Sequence, residues 1–248
     1  MNKENNTSDA TLFPFVENAD RQKRFKLKIC GMKYQDNISE IATLQPDYLG
    51  FIFYKKSPRY FNGIIPKLPD NIKKVGVFVD EKLDDLIVIA QNHQLDAVQL
   101  HGNESADYCK ALRNAALNSL DTNQTHKKWQ GREIKIIKIF SIDEAFNFNH
   151  LQPYESICDF YLFDTKGKLP GGNGYTFNWD ILQQYPSSKP YFLSGGIGLN
   201  HIDLLKEFLK TPASQYCHAI DINSQLEIKA GLKSIEKLIQ FKSQLDRH

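Results

Sequence analysis

Tryptophan and methionine are scarce, two of each, and the four cysteines (Cys30, Cys109, Cys158 and Cys217) form no CxxC pair. No Cys/His cluster has zinc spacing, so no metal site is expected and the cysteines read as free thiols. Charge of one sign is also missing: 31 Lys and Arg balance 29 Asp and Glu, a net +2. With no arginine-rich run beside that balance, nucleic acid is not an expected partner. No run of about 18 apolar residues exists, so no membrane span is expected. The opening MNKENNTSDA lacks the apolar core of a secretory signal. A cytoplasmic protein is the expectation. A dinucleotide turn is absent as well, because the first apolar run ends Cys30-Gly31-Met32-Lys33 with no G-x-G-x-x-G, and Gly196-x-Gly198 lacks the third glycine.

What is present is an ordinary globular composition, 41% apolar and 24% charged over 248 residues, enough for one large barrel or two small domains. Residues 1–24 are polar apart from an apolar island at 12–16, and read as a disordered or loosely docked extension. From Phe25 a rhythm runs to the end, making 25–248 a single expected domain. Short apolar runs stand at 27–30, 48–53, 75–79, 97–100, 134–140, 160–163, 191–193 and 219–222. Their spacing of roughly 20 to 40 residues is that of βα repeats in a parallel sheet.

Helical spacing lies between several of them: Ile38, Ile41 and Leu44; then Leu83, Leu86, Ile87 and Ala90 behind Asp80 as a possible cap. Ile202, Leu205, Phe208 and Leu209 follow, and Leu232, Ile235, Leu238, Ile239 and Leu245 close the chain. Gly63, Pro66 and Pro69 limit residues 61–70 to a short helix, and 114–131 reads as a polar surface insertion. Eight strands alternating with helices close most simply into a (β/α)₈ TIM barrel, an α/β fold.

In such a barrel the chemistry sits at the carboxyl ends of the strands. Those ends supply Cys30, Arg59, Asp80, Gln99, His101, Asp164, Ser194-Gly195-Gly196 and 221–224, the last including Asn223 and Ser224. Asp164 ends a buried-strand pattern and faces a loop with Gly171, Gly172 and Gly174. It reads either as an acid or as a loop cap. Gly195 and Gly196, ahead of Asn200 opening a helix, can offer bare N–H groups to a phosphate or serve only a tight turn. Arg59 can grip a carboxylate through two parallel bonds or lie on the surface. His101 reads more readily as a structural histidine than as a base. Cys30, the last residue of its strand, can act as a general base if nearby positive charge lowers its pKa.

In order, the chain carries Lys28-Ile-Cys-Gly31, Gly50-Phe-Ile-Phe-Tyr54 with Ser57-Pro-Arg59, Val75-Gly-Val-Phe-Val-Asp80 and Val98-Gln-Leu-His-Gly102. It continues with Phe163-Asp-Thr165, Gly171-Gly-Asn-Gly174 with Phe177-x-Trp179, Leu193-Ser-Gly-Gly-Ile197 and Asp221-Ile-Asn-Ser224. Set in strand order from about Lys26 to Gln240, these motifs make the sequence resemble the phosphoribosylanthranilate isomerases of tryptophan biosynthesis. The resemblance implies an Amadori rearrangement of a phosphorylated small molecule without metal or organic cofactor. It also implies Asp164 as general acid, Cys30 as general base and Arg59 as holder of the anthranilate carboxylate. Backbone N–H groups around Gly195, Gly196, Asn223 and Ser224 would bind the phosphate, with Gln99 and His101 lining the substrate site. A monomer is the first expectation for assembly, a dimer the second.

The chain departs from the family pattern at Met32-Lys33, where a hydroxyl residue is usual. It departs again at Asn223-Ser224-Gln225, where Ser-Ser-Gly is common, and at Ala230, where proline often precedes Gly231. Two other readings stand beside the isomerase. A sister barrel acting on another phosphoribosyl amine would want an aspartate in place of Cys30, or a strand-end lysine. A phosphate-binding barrel without turnover would need neither Cys30 nor Asp164.

Overall fold

A computed structural model describes residues 25–118, 133–165 and 178–245. The 1–24 extension, most of the polar insertion and the 171–174 glycine loop lie outside the described residues. Eight parallel strands close into one barrel in sequence order: β1 (Lys26–Ile29), β2 (Tyr48–Ile52), β3 (Lys73–Phe78), β4 (Ala97–Leu100), β5 (Lys135–Ile142), β6 (Phe160–Thr165), β7 (Tyr191–Leu193) and β8 (Cys217–Ile222). β1 pairs with β8 and β2, so no strand of the barrel has a free edge. Around it stand α1 (Gln35–Ala42), α2 (Leu83–Asn92), α3 (Ala106–Asn118), α4 (Ile202–Leu209) and α5 (Ile235–Leu245).

Strand alternation sorts the side chains into two cores. Inward-facing Tyr48, Val75, Ala97, Ile137, Ile139, Leu162, Phe192 and Ala219 fill the barrel's lower interior. Their outward neighbours, among them Leu49, Phe51, Val98, Ile136, Tyr161 and Phe163, pack against the surrounding helices. Each fully buried side chain of this kind contributes about 1.5–3 kcal/mol of transfer free energy. Toward the carboxyl ends the inner face turns polar, with Lys28, Gln99 and Asp221 buried there.

Several local expectations change. Residues 61–70 form no helix, because Pro66 and Pro69 each remove a backbone donor from so short a segment. Short 3₁₀ turns, Phe148–Tyr154 and Trp179–Gln184, take the helix positions after β5 and β6. Asp80 does not cap α2: it adopts a positive φ of 49° and its Oδ1 accepts from Asn103 N–H at 2.6 Å. α4 is entered through a 3₁₀ turn, Leu199–His201, so Asn200 does not open it as a cap. Leu232 leaves the final helix to form β10 (Leu232–Lys233), antiparallel to β9 (Glu227–Lys229) in the loop after β8.

Candidate active site

Lys28 is the first anomaly, a lysine with no exposure in the middle of an apolar strand. Register explains it: Lys28 stands opposite Asp221 of β8, and its Nζ reaches Asp221 Oδ2 at 2.8 Å. A buried charge without a partner costs several kcal/mol, so the two carboxyl-end residues require each other. Burial by itself lowers the Lys28 ammonium, but Asp221 and the Cys30 sulfur more than reverse this, and its pKa ends above the usual value. Asp221 Oδ1 has no hydrogen-bond partner among the described residues.

Cys30 lies two residues beyond Lys28 on the same inner face, tied by its N–H to Ile222 O at 2.9 Å. The thiol has room because residue 50 is glycine; a Cβ there would sit 2.7 Å from the sulfur. The expectation that positive charge lowers the thiol pKa is not met. Complete burial pushes it above the usual value, against the opposing pull of Lys28 and Lys233.

Asp164 is the penultimate residue of β6, its side chain 13% exposed. Burial and then the negative charge of Asp221 raise its carboxyl to about 6, while hydrogen bonds from Thr165 N–H and Ser194 and the charge on Lys28 restrain the rise. His101 Nε2 stands 3.9 Å from Asp164 Oδ2. Burial, then Lys28 and Lys138, depress His101 to about 4, so near neutral pH the imidazole is uncharged and the approach is not an ion pair. Gln99 Nε2 meets His101 Nδ1 at 3.0 Å, which assigns the ring proton to Nε2, facing Asp164. Gln99 Oε1 is buried without a partner among the described residues.

Gly195 and Gly196 follow β7 with φ values of 99° and 66°, a left-handed pair that side chains resist. A Cβ on Gly195 would also strike Thr165 Oγ1 at 2.1 Å. Cys30, Arg59, Gln99, His101, Asp164, both glycines, Asn223 and Ser224 all line one cavity of about 430 Å³ at the carboxyl ends of the strands. Of the strand-end candidates, Asp80 stands apart and lines a neighbouring cavity with Asn103 and Glu104. A larger groove of about 1190 Å³ opens at the opposite end of the barrel, but Asp221, paired with buried Lys28, lines the smaller one.

The sequence from residue 27 to 244 matches the family model described as N-(5′-phosphoribosyl)anthranilate (PRA) isomerase. A similar relative is the N-(5′-phosphoribosyl)anthranilate isomerase of Phocaeicola vulgatus, 35% identical over 219 residues, covering 88% of this chain and 97% of the relative. The chain belongs to the PRA isomerase family. These are aldose–ketose isomerases of tryptophan biosynthesis. Solved structures agree on the fold. Phosphoribosyl anthranilate isomerase from Thermus thermophilus superposes with TM-score 0.69 at 21% identity, over 89% of this chain and 98% of that one. A phosphoribosyl anthranilate isomerase in complex with reduced 1-(o-carboxyphenylamino)-1-deoxyribulose 5-phosphate superposes with TM-score 0.66 at 23% identity, over 90% and 98%.

The departures from the PRA isomerase pattern find structural uses here. Lys33 donates from Nζ to Pro58 O at 3.0 Å, holding the segment that carries Arg59. Gln225 lies over Gly198, where an added Cβ would come within 2.6 Å of the Gln225 Cβ, so it packs the loops after β7 and β8 together. Arg59 is already engaged: Nε donates to Glu227 Oε1 and Oε2 at 2.9 and 3.1 Å, and Nη2 to Oε2 at 2.8 Å.

Sequence reasoning named neither Glu227 nor Lys233, and it passed over Lys28 as an ion-pair partner. Lys28 carried a signal, since a lysine inside a buried strand requires an anion. Glu227 and Lys233 carried none, because their loop closes only through β9 and β10.

Proposed function

We propose that this chain converts N-(5′-phosphoribosyl)anthranilate to 1-(o-carboxyphenylamino)-1-deoxyribulose 5-phosphate with Asp164 as general acid and Cys30 as general base. The observation that carries this reading is the placement of both side chains on one cavity beside the double-glycine turn. Protonated Asp164 gives its proton to the ribose ring oxygen as the bond from C1′ to that oxygen breaks, leaving a protonated imine. The Cys30 thiolate removes the C2′ proton, and the C2′–H electrons form the C1′–C2′ double bond of an enolamine. Tautomerisation delivers a proton to C1′ and leaves the ketone at C2′. C2′ is oxidised as C1′ is reduced, so the electron balance closes within the substrate.

The elevated Asp164 pKa suits a donor, because a carboxyl at about 6 keeps part of its population protonated near neutral pH. Lys28 faces the thiolate as it forms and offsets its charge. Neutral His101 points Nε2–H at Asp164, and the free oxygens of Gln99 and Asp221 can accept from ribose hydroxyls. The N–H groups around Gly195, Gly196, Asn223 and Ser224 receive the phosphate. The Arg59 edge not used by Glu227 receives the anthranilate carboxylate. One chain carries every group in this scheme, so a monomer suffices, and four buried cysteines suit a reducing cytoplasm.

The test is to supply N-(5′-phosphoribosyl)anthranilate to the purified chain and follow loss of its fluorescence. Turnover abolished by Cys30→Ser and by Asp164→Asn supports the assignment. Tight binding of the reduced product with no turnover in the parent would make the chain a phosphate-binding barrel instead.

A further inference from the structure

Arg59 and the phosphate turn belong to loops far apart in sequence, yet one carboxylate joins them. Glu227, its side chain 5% exposed, accepts the whole Nε–Nη2 edge of Arg59. The same carboxylate accepts from Lys233 Nζ at 2.8 Å and from Gly231 N–H at 3.1 Å, both through Oε1. Lys233, whose side chain has no exposure, also donates to Asn223 Oδ1 at 2.8 Å and to Asn223 O at 3.1 Å. An unbroken chain of charge-assisted bonds therefore runs from Arg59 through Glu227 and Lys233 to Asn223.

Arg59 has five N–H donors, and Glu227 takes the Nε–H and one on Nη2. Of the remaining three, two form the Nη1–Nη2 edge, and Arg59 lines the cavity. A free arginine samples many rotamers, whereas one forked to a buried carboxylate holds its other edge in a single direction. The Arg59 Cδ is also confined beside Gly31, where an added Cβ would come within 2.8 Å of it.

We propose that Glu227 and Lys233 are positioning residues that aim Arg59 at the carboxylate end of the substrate and fix its distance from the phosphate turn at Asn223. This inference rests on the reading of Arg59 as the carboxylate holder. The two anionic ends of the ligand are then measured by one rigid ruler, and selectivity for a carboxylate depends on a residue that never touches it.

The experiment uses two ligands, the reduced product and its analogue lacking the ring carboxylate, and compares their Kd values in the parent, Arg59→Lys, Glu227→Gln and the double variant. In the parent the carboxylate should strengthen binding on the order of 10- to 100-fold, the worth of charge-assisted bonds. Glu227→Gln keeps size but removes the charge that holds Arg59. It should lose most of that preference, with the decarboxylated ligand bound nearly as before. The double variant should be no worse than Arg59→Lys. A Glu227→Gln variant that keeps the parental preference, or weakens both ligands equally, would overturn the positioning role. If Arg59→Lys itself keeps the preference, the carboxylate reading of Arg59 fails and this inference with it. Should Glu227→Gln melt below assay temperature, Glu227→Asp, which retains charge but withdraws it by one methylene, is judged by the same ratio.

Discussion

The two ends of the barrel bury polar groups in opposite ways. At the floor, Tyr48 Oη meets His218 Nε2 at 2.8 Å, and the half-buried histidine packs against Phe160 and Phe192, whose ring centroids lie 4.6 and 5.4 Å from its ring. The polar atoms there answer each other within an aromatic cluster. At the mouth, Lys28 and Asp221 form an ion pair, but Asp221 Oδ1 and Gln99 Oε1 remain buried without partners among the described residues. An unanswered buried acceptor costs about 1–3 kcal/mol. A protein bears that cost where a ligand will supply the missing donor. The floor is built for stability and the mouth for an incoming substrate.

Breaking the mouth should abolish turnover while leaving the fold intact. Asp164→Asn keeps size and hydrogen-bonding capacity but loses the transferable proton. Its kcat should fall by ~10²–10⁴-fold while the reduced product still binds. Parental kinetics would return Asp164 to the role of a loop cap.

Cys30→Ser should lose a similar ~10²–10⁴-fold, since a hydroxyl ionises too weakly to replace the thiolate. The pH profile sharpens the pairing. The proposed mechanism needs Asp164 protonated and Cys30 ionised, but burial raises both, the carboxyl to about 6 and the thiol above its usual value. Between the two titrations one required form falls with pH as fast as the other rises, so kcat/KM should be level. Below about pH 6 Asp164 is already protonated and only thiolate is being lost; above the thiol pKa only protonated Asp164 is being lost. The substrate phosphate also ionises near pH 6, so the lower limb is assigned by carbon-13 NMR of the aspartate carboxyl. A profile falling steadily from neutral pH upward would mean the thiol ionises at or below neutral pH.

Breaking the floor should do the reverse. Phe192→Ala removes a fully buried ring and should lower unfolding free energy by ~3–5 kcal/mol, read by denaturant titration. At a temperature where the variant stays folded, kcat/KM should match the parent. A tenfold loss there would show that floor packing reaches the mouth. The smallest effect is expected from deleting residues 2–24, whose sequence has no sustained period. Melting temperature and kcat/KM should be almost unchanged, and a drop of several degrees would reveal docking of the 12–16 island on the barrel.

Much of the fold was legible because each strand is a short apolar run bounded by turn residues, a pattern that depends on neighbours in sequence. Asp164 and Cys30 were legible for the same reason, as polar residues at the carboxyl ends of such runs. Asp80 was misread as a cap, since its left-handed backbone and its bond to Asn103 depend on the loop after β4. The direction of the Cys30 shift was also out of reach. It is set by how completely the closed barrel excludes water, which outweighs the lysines nearby.

By itself the sequence determined the order of strands, the choice of a barrel over a dinucleotide-binding sheet, and the residue types at each strand end. Those follow from local periodicity and from the identity of single side chains. Only the tertiary structure decided which charges answer each other. Lys28 and Asp221 are 193 residues apart, and Arg59 and Glu227 are 168 apart, yet each pair closes to 2.8 Å. Barrel closure brings the last strand beside the first, and only there does the loss of water make a partner obligatory.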